Sequence, residues 1–67
     1  MTSREHFEIA EKHYYEYEET QNEELLEKAL KNYSEAIKLQ PGFADAYYKR
    51  ALVNGIYMNN LTINIKI

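Results

Sequence analysis

The dipeptide of Pro41 and Gly42 is the feature that most restricts how this chain can fold. Proline lacks a backbone N–H and disfavours the helical conformation in the residue before it, so a helix has to end near Gln40. The 67 residues contain no other proline and only one other glycine, Gly55. The sequence therefore predicts a few long regular elements, with one enforced turn between two of them.

Apolar residues spaced three and four apart predict three helices. The first covers about 3–20, and the capping-box spacing of Thr2 and Glu5 marks its start. The second covers about 22–40, and the same spacing of Thr20 and Glu23 marks its start. The third covers about 43–57, where two consecutive asparagines favour a helix end. The inward residues are Phe7, Ala10, Tyr14 and Tyr17 in the first helix, Leu26, Ala29, Leu30, Tyr33, Ala36, Ile37 and Gln40 in the second, and Ala44, Tyr47, Ala51 and Val53 or Asn54 in the third.

The last seven residues have a different pattern from the rest of the chain. Leucine and isoleucine alternate with polar residues over 61–67, which is the period of a strand. The chain offers no second strand for pairing. We therefore expect residues 1–57 to form a three-helix unit and residues 58–67 to form a truncated or irregular C-terminal tail.

Small residues, aromatic residues and the proline occur at spacings that favour close helix packing. Alanines on an apolar stripe let a neighbouring helix approach closely, and a tyrosine between them fills the space that two crossed helices leave open. This spacing predicts two antiparallel helices with a third packed against them. The packing motif consists of Ala29, Tyr33, Ala36, Pro41, Ala44, Tyr47 and Ala51.

The segments "ALKNYSEAIKLQP" and "FADAYYKRALV" resemble the tetratricopeptide repeat family, whose unit is a helix–turn–helix of 34 residues. The first segment resembles the second helix of one repeat, and the second resembles the first helix of the next. The resemblance implies an all-α fold, with an antiparallel helical hairpin plus a third helix as a fragment of an α-solenoid. It also implies a non-enzymatic module for protein–protein interaction that binds a peptide or a partner helix.

In this family the first helix of each repeat lines a concave groove, so the resemblance places a peptide-binding groove on the first and third helices. Such a groove would be acidic and would contain two exposed tyrosines, which suits a peptide of basic or mixed charge. The alternative is a solvated face without a ligand. The predicted groove residues are Glu8, Glu11, Tyr15, Glu18, Glu19, Asp45, Tyr48, Lys49 and Leu52.

A chain of about one and a half repeats leaves its third helix without the usual cover, because repeat units bury their apolar faces against neighbours. We expect an uncovered apolar face that includes Leu52, Ile56 and Tyr57. Such a face favours homo-oligomers or docking onto a partner. The competing interpretation of the function is therefore a truncated repeat that acts only through assembly.

Composition argues against several other classes of protein. The formal net charge of −3 and the dispersed basic residues disfavour nucleic-acid binding. Cysteine is absent, and His6 and His13 lack the spacing of metal ligands, so neither a cofactor nor an enzymatic activity is expected. The N-terminus lacks a secretory signal, and no apolar stretch is long enough to cross a bilayer. The expectation is a soluble cytoplasmic protein without a membrane partner.

Overall fold

The fold consists of helices joined by short turns. The structure is a computed structural model that describes the backbone of residues 1–65 and the side chains of residues 1–61. It contains α1 (Ser3–Thr20), α2 (Glu23–Leu39) and α3 (Ala44–Ile65), and its described residues include no strand. The predicted all-α fold, a helical hairpin with a third helix after it, is confirmed. No helix within the described range is long and apolar enough to cross a membrane.

Helix α1 begins and ends with defined caps. The Thr2 hydroxyl oxygen accepts a hydrogen bond from the Glu5 N–H at 3.1 Å, and the Thr2 N–H donates to the Glu5 carboxylate at 2.7 Å. The predicted capping box is therefore present, and the hydrogen bond from the Thr2 N–H lowers the pKa of the Glu5 carboxyl because it favours the charged form. At the other end, Gln21 takes a left-handed conformation with φ 61° and donates its N–H to the Tyr17 carbonyl at 2.7 Å.

Helix α2 has the predicted position but a different N-terminal cap. The expected capping box of Thr20 with Glu23 is wrong, because Thr20 still belongs to α1 and its hydroxyl donates to the Glu16 carbonyl at 2.9 Å. Asn22 caps the helix instead, and its side-chain oxygen accepts from the Glu24 N–H at 3.1 Å. The helix ends before the proline turn, as the chemistry of proline requires. The expected inward position of Gln40 is wrong, because Gln40 is the exposed C-terminal cap of α2.

The core lies mainly between α1 and α2. Tyr33 is fully buried, and its ring meets that of Phe7 edge to face with centroids 5.6 Å apart. Ala29 and Ala36, one on each side of it along α2, are also fully buried, so the three motif residues on this helix pack as predicted. The buried residues are Phe7, Ala10, Tyr17, Leu26, Ala29, Tyr33, Ala36, Ile37, Ala46 and Val53.

Helix α3 turns a different face to the core from the one predicted. Ala46 and Val53 are its buried residues, and Ile56 and Tyr57 pack against the core with partial burial. The expected exposure of Ile56 and Tyr57 is therefore wrong. The predicted inner face fails because its pattern matches contact with a later helix, whereas α3 packs mainly against α2, the helix before it. The residues wrongly assigned to the inner face are Ala44, Tyr47, Ala51 and the alternative Asn54.

Helix α3 also continues past its predicted end. It passes through Asn59 and Asn60 and reaches Ile65, so the expected helix end near 57 and the strand pattern are both wrong over 58–65. The Asn60 side-chain amide donates to the Tyr17 hydroxyl at 2.9 Å, so it contacts α1 and does not cap a helix. Residues 66–67 lie outside the described range. The division into a three-helix unit over 1–57 and a tail over 58–67 stays a prediction, because α3 is continuous across this boundary.

Candidate protein-interaction surface

Side chains join α1 to α3 at two levels, and a third contact joins α1 to Phe43, the residue just before α3. The lowest joint is a ring contact with centroids 5.0 Å apart, the middle one is an ion pair of 3.6 Å, and the upper one is a hydrogen bond of 2.9 Å. The order of the residues is the same along both helices, which shows that they are parallel. The three pairs are Phe7 with Phe43, Glu11 with Lys49, and Tyr17 with Asn60.

The middle joint is formed by two residues of the predicted groove. Glu11 and Lys49 were both assigned to the groove, and the structure brings their charged groups together between the two helices. Tyr15 comes one helical turn after Glu11 and is 53% exposed. Tyr48 precedes Lys49 and is 68% exposed, while Leu52 is 42% exposed. Two exposed aromatic side chains therefore stand on the helices that this ion pair joins.

The remaining predicted groove residues are acidic and exposed. Glu8 lies 4.0 Å from Arg4, one turn away on α1, so part of its charge is balanced there. Glu18 and Glu19 lie at the C-terminal end of α1, and Asp45 lies in the first turn of α3. The membership of these four residues in a binding groove stays a prediction.

The hydroxyl of Tyr33 is buried in the core, and the sequence pattern assigned this residue only to packing. The hydroxyl of Tyr33 has no hydrogen-bond partner among the described residues. Burial raises its pKa, and the nearby charge of Glu11 raises it further, because both oppose ionisation. The pKa of Tyr14 is also raised, first by burial and then by Glu18. An unsatisfied buried polar group destabilises a fold by about 1–3 kcal/mol, so Tyr33 is a local weakness of the core.

The two histidines contact neighbouring side chains. Nδ1 of His6 lies 3.1 Å from the side-chain oxygen of Asn32, which links α1 to α2. Nδ1 of His13 lies 3.3 Å from the carboxylate of Glu16, one turn along the same helix. Within the described range, no three histidine or acidic side chains are grouped in a way that could hold a metal ion.

The similarity to known protein families lies in the second helix of the hairpin and in the helix after it. Residues 24–55 match the model of a family described as TPR repeat. The resemblance to the tetratricopeptide repeat family is confirmed over this segment. The segment contains the whole packing motif, most of α2 and the first half of α3. A search of curated proteins and a search of solved structures each give no match.

The segment that matches the family model also lines a cleft between α2 and α3. This open cleft has a volume of about 510 Å³. Its charged group is Arg50, whose guanidinium donates to the Ser34 hydroxyl at 3.4 Å and lies 5.4 Å from the centre of the Tyr47 ring. The sequence did not point to this site, because Arg50 stands beside motif positions that were assigned to packing. The lining residues are Leu30, Ser34, Tyr47, Arg50, Ala51 and Asn54.

Proposed function

We propose that this protein is a non-enzymatic interaction module that binds a peptide in the groove between α1 and α3. The observation that carries the proposal is the exposure of Tyr15 and Tyr48 on the two helices that the Glu11–Lys49 ion pair joins. Tyrosine side chains supply a large contact area with few rotatable bonds, so they are effective anchors in binding sites. The tetratricopeptide match over 24–55 supports an interaction module of this kind.

The charge around the groove favours a peptide of basic or mixed charge. The assigned residues include five carboxylates and one lysine, Lys49, which is already paired with Glu11. A lysine or arginine of the ligand would compete with Lys49 for the Glu11 carboxylate. Such pairing is partly shielded from water and contributes to specificity and association rate. Binding should therefore weaken as the salt concentration rises.

The experiment selects peptides from a displayed random library against the protein and measures their affinity by fluorescence anisotropy. We expect selected peptides to be basic or mixed in charge. The double change Tyr15→Ala and Tyr48→Ala should weaken their binding by roughly tenfold or more, because it removes two aromatic anchors. Leu39→Ala serves as the control, since Leu39 is exposed at the end of α2, away from the groove. Peptides that bind both variants equally well would contradict the proposal.

A second candidate function is assembly through the uncovered face of α3. The observation that favours it is the exposure of large apolar side chains on this face, Tyr47 and Leu61. Apolar patches of this kind occur at association surfaces. Sedimentation equilibrium from micromolar to millimolar concentration tests it. A monomer over the whole range would exclude the assembly function and leave the groove function unaffected.

A further inference from the structure

Arg50 is a half-buried cation that has no carboxylate partner within the described part of the chain. Its guanidinium interacts with the Ser34 hydroxyl and the Tyr47 ring. Both contacts hold the guanidinium in place, but neither neutralises its charge. Charged groups that are withdrawn from water are normally paired with an opposite charge. The described part of the chain therefore holds the Arg50 guanidinium in place but supplies no carboxylate to pair with it.

The surroundings of Arg50 suit a carboxylate on an apolar helix. Leu30 and Ala51 line the same cleft, which is open to solvent and has a volume of about 510 Å³. A guanidinium presents five N–H donors in a planar fork that matches the two oxygens of a carboxylate. One of these donors is used by Ser34. The remaining donors are available to a group that enters the cleft.

We propose that the cleft between α2 and α3 binds an aspartate or glutamate side chain carried by a helix of a partner protein, with Arg50 pairing the carboxylate. The apolar residues of that helix would pack on Leu30, Tyr47 and Ala51. The site is distinct from the groove, because it lies on the α2 side of α3 and selects the opposite charge.

A second copy of this chain does not supply the required charge through the same face. The uncovered face of α3 presents Tyr47, Ala51, Asn54 and Leu61, and none of these residues is acidic. A symmetric pairing of two α3 helices would place two Arg50 side chains near each other without a carboxylate between them. Like charges at an interface cost free energy, so charge complementarity disfavours this symmetric pairing, and the occupant that we propose is a different protein with an acidic residue on its helix.

The test uses a capped helical peptide of leucine and alanine with one central glutamate, and a matched peptide with glutamine at that position. Isothermal titration calorimetry should show that the protein binds the glutamate peptide roughly tenfold or more tightly, because charge-assisted hydrogen bonds are lost with glutamine. Arg50→Gln should remove this preference, and Arg50→Lys should keep part of it. Arg4→Gln is the control, because it makes the same charge change on exposed α1.

The location of binding is checked by NMR on the unaltered protein, which keeps the test valid if an Arg50 variant fails to fold. Shifts of the Arg50 Nε–H signal and the Asn54 side-chain amide are expected with the glutamate peptide. Equal affinity for the two peptides, or shifts confined to Tyr15 and Tyr48, would overturn the proposal. A dimer of this chain that dissociates in Arg50→Gln would assign the cleft to a second copy and overturn the choice of partner. If the Tyr15→Ala and Tyr48→Ala change had no effect on peptide binding, the groove proposal would fail and the result for the Arg50 cleft would be unchanged.

Discussion

Replacing Tyr33 by phenylalanine should stabilise the protein. Tyr33 is fully buried, and its hydroxyl has no hydrogen-bond partner among the described residues. An unsatisfied buried polar group costs about 1–3 kcal/mol. Phenylalanine keeps the ring and its edge-to-face contact with Phe7. We expect the free energy of unfolding to rise by about 1 kcal/mol, which corresponds to a rise of roughly 4–8 °C in Tm for a domain of this size.

The stabilisation should increase at alkaline pH. The pKa of Tyr33 is raised above its ordinary value of 10 in the folded protein, whereas the unfolded chain has the ordinary value. The unfolded state therefore loses this proton first as the pH passes 10, and the folded state loses stability relative to it. The loss is about 1.4 kcal/mol per pH unit above 10 for this group. Phenylalanine has no proton to lose, so the advantage of Tyr33→Phe should grow between pH 10 and 12.

Urea denaturation monitored by circular dichroism at 222 nm measures both effects. Tyr17→Phe is the matched control, because Tyr17 is also buried but its hydroxyl accepts a hydrogen bond from Asn60 at 2.9 Å. This control should lower stability by about 1 kcal/mol. The reasoning is refuted if Tyr33→Phe is less stable than the original protein at pH 7 and the difference does not change up to pH 11.5.

Two further changes test helix chemistry by the same urea assay. Gly55→Ala should stabilise α3 by about 0.5–1 kcal/mol, because glycine is unfavourable inside a helix and a Cβ at this position meets nothing within 4 Å; a destabilised variant would show that α3 is not helical there. Asn22→Ala should cost about 1 kcal/mol through the loss of the cap on the Glu24 N–H, and Asn22→Asp, which can also cap, should restore most of it. An Asn22→Ala variant as stable as the original would show that the cap contributes nothing.

The helix positions of the hairpin could be predicted from the sequence because local chemistry determines them. The capping box of Thr2 and Glu5 and the turn at Pro41 act over a few residues, and the ends of α1 and α2 lie close to where they indicate. The face of α3 could not be predicted in this way. The alanines and Tyr47 have a pattern that matches contact with a later helix, whereas burial in this chain is decided by contact with α2.

The far end of α3 shows a similar conflict between local preference and packing. Asparagines at 59 and 60 favour a helix end, and β-branched residues beyond them favour a strand. These preferences are worth less than about 1 kcal/mol per residue, and tertiary contacts often override them. Asn60 reaches the Tyr17 hydroxyl from a helical backbone. The cleft was missed for a different reason, since an unpaired arginine is recognised only when all its neighbours are known.

The two proposed sites share one helix, and among the side chains that the structure describes this helix contributes the fewest to the core. Over residues 44–61 of α3 the buried residues are Ala46 and Val53, although α3 supplies Lys49 to the groove and Arg50 to the cleft. A ligand on either side would therefore help to hold the same helix in place. The first ligand to bind would order α3, so the second would lose less conformational entropy on binding. Each ligand would raise the affinity for the other by the same factor. Two sites of opposite charge preference on one helix would then favour the simultaneous binding of two different partners.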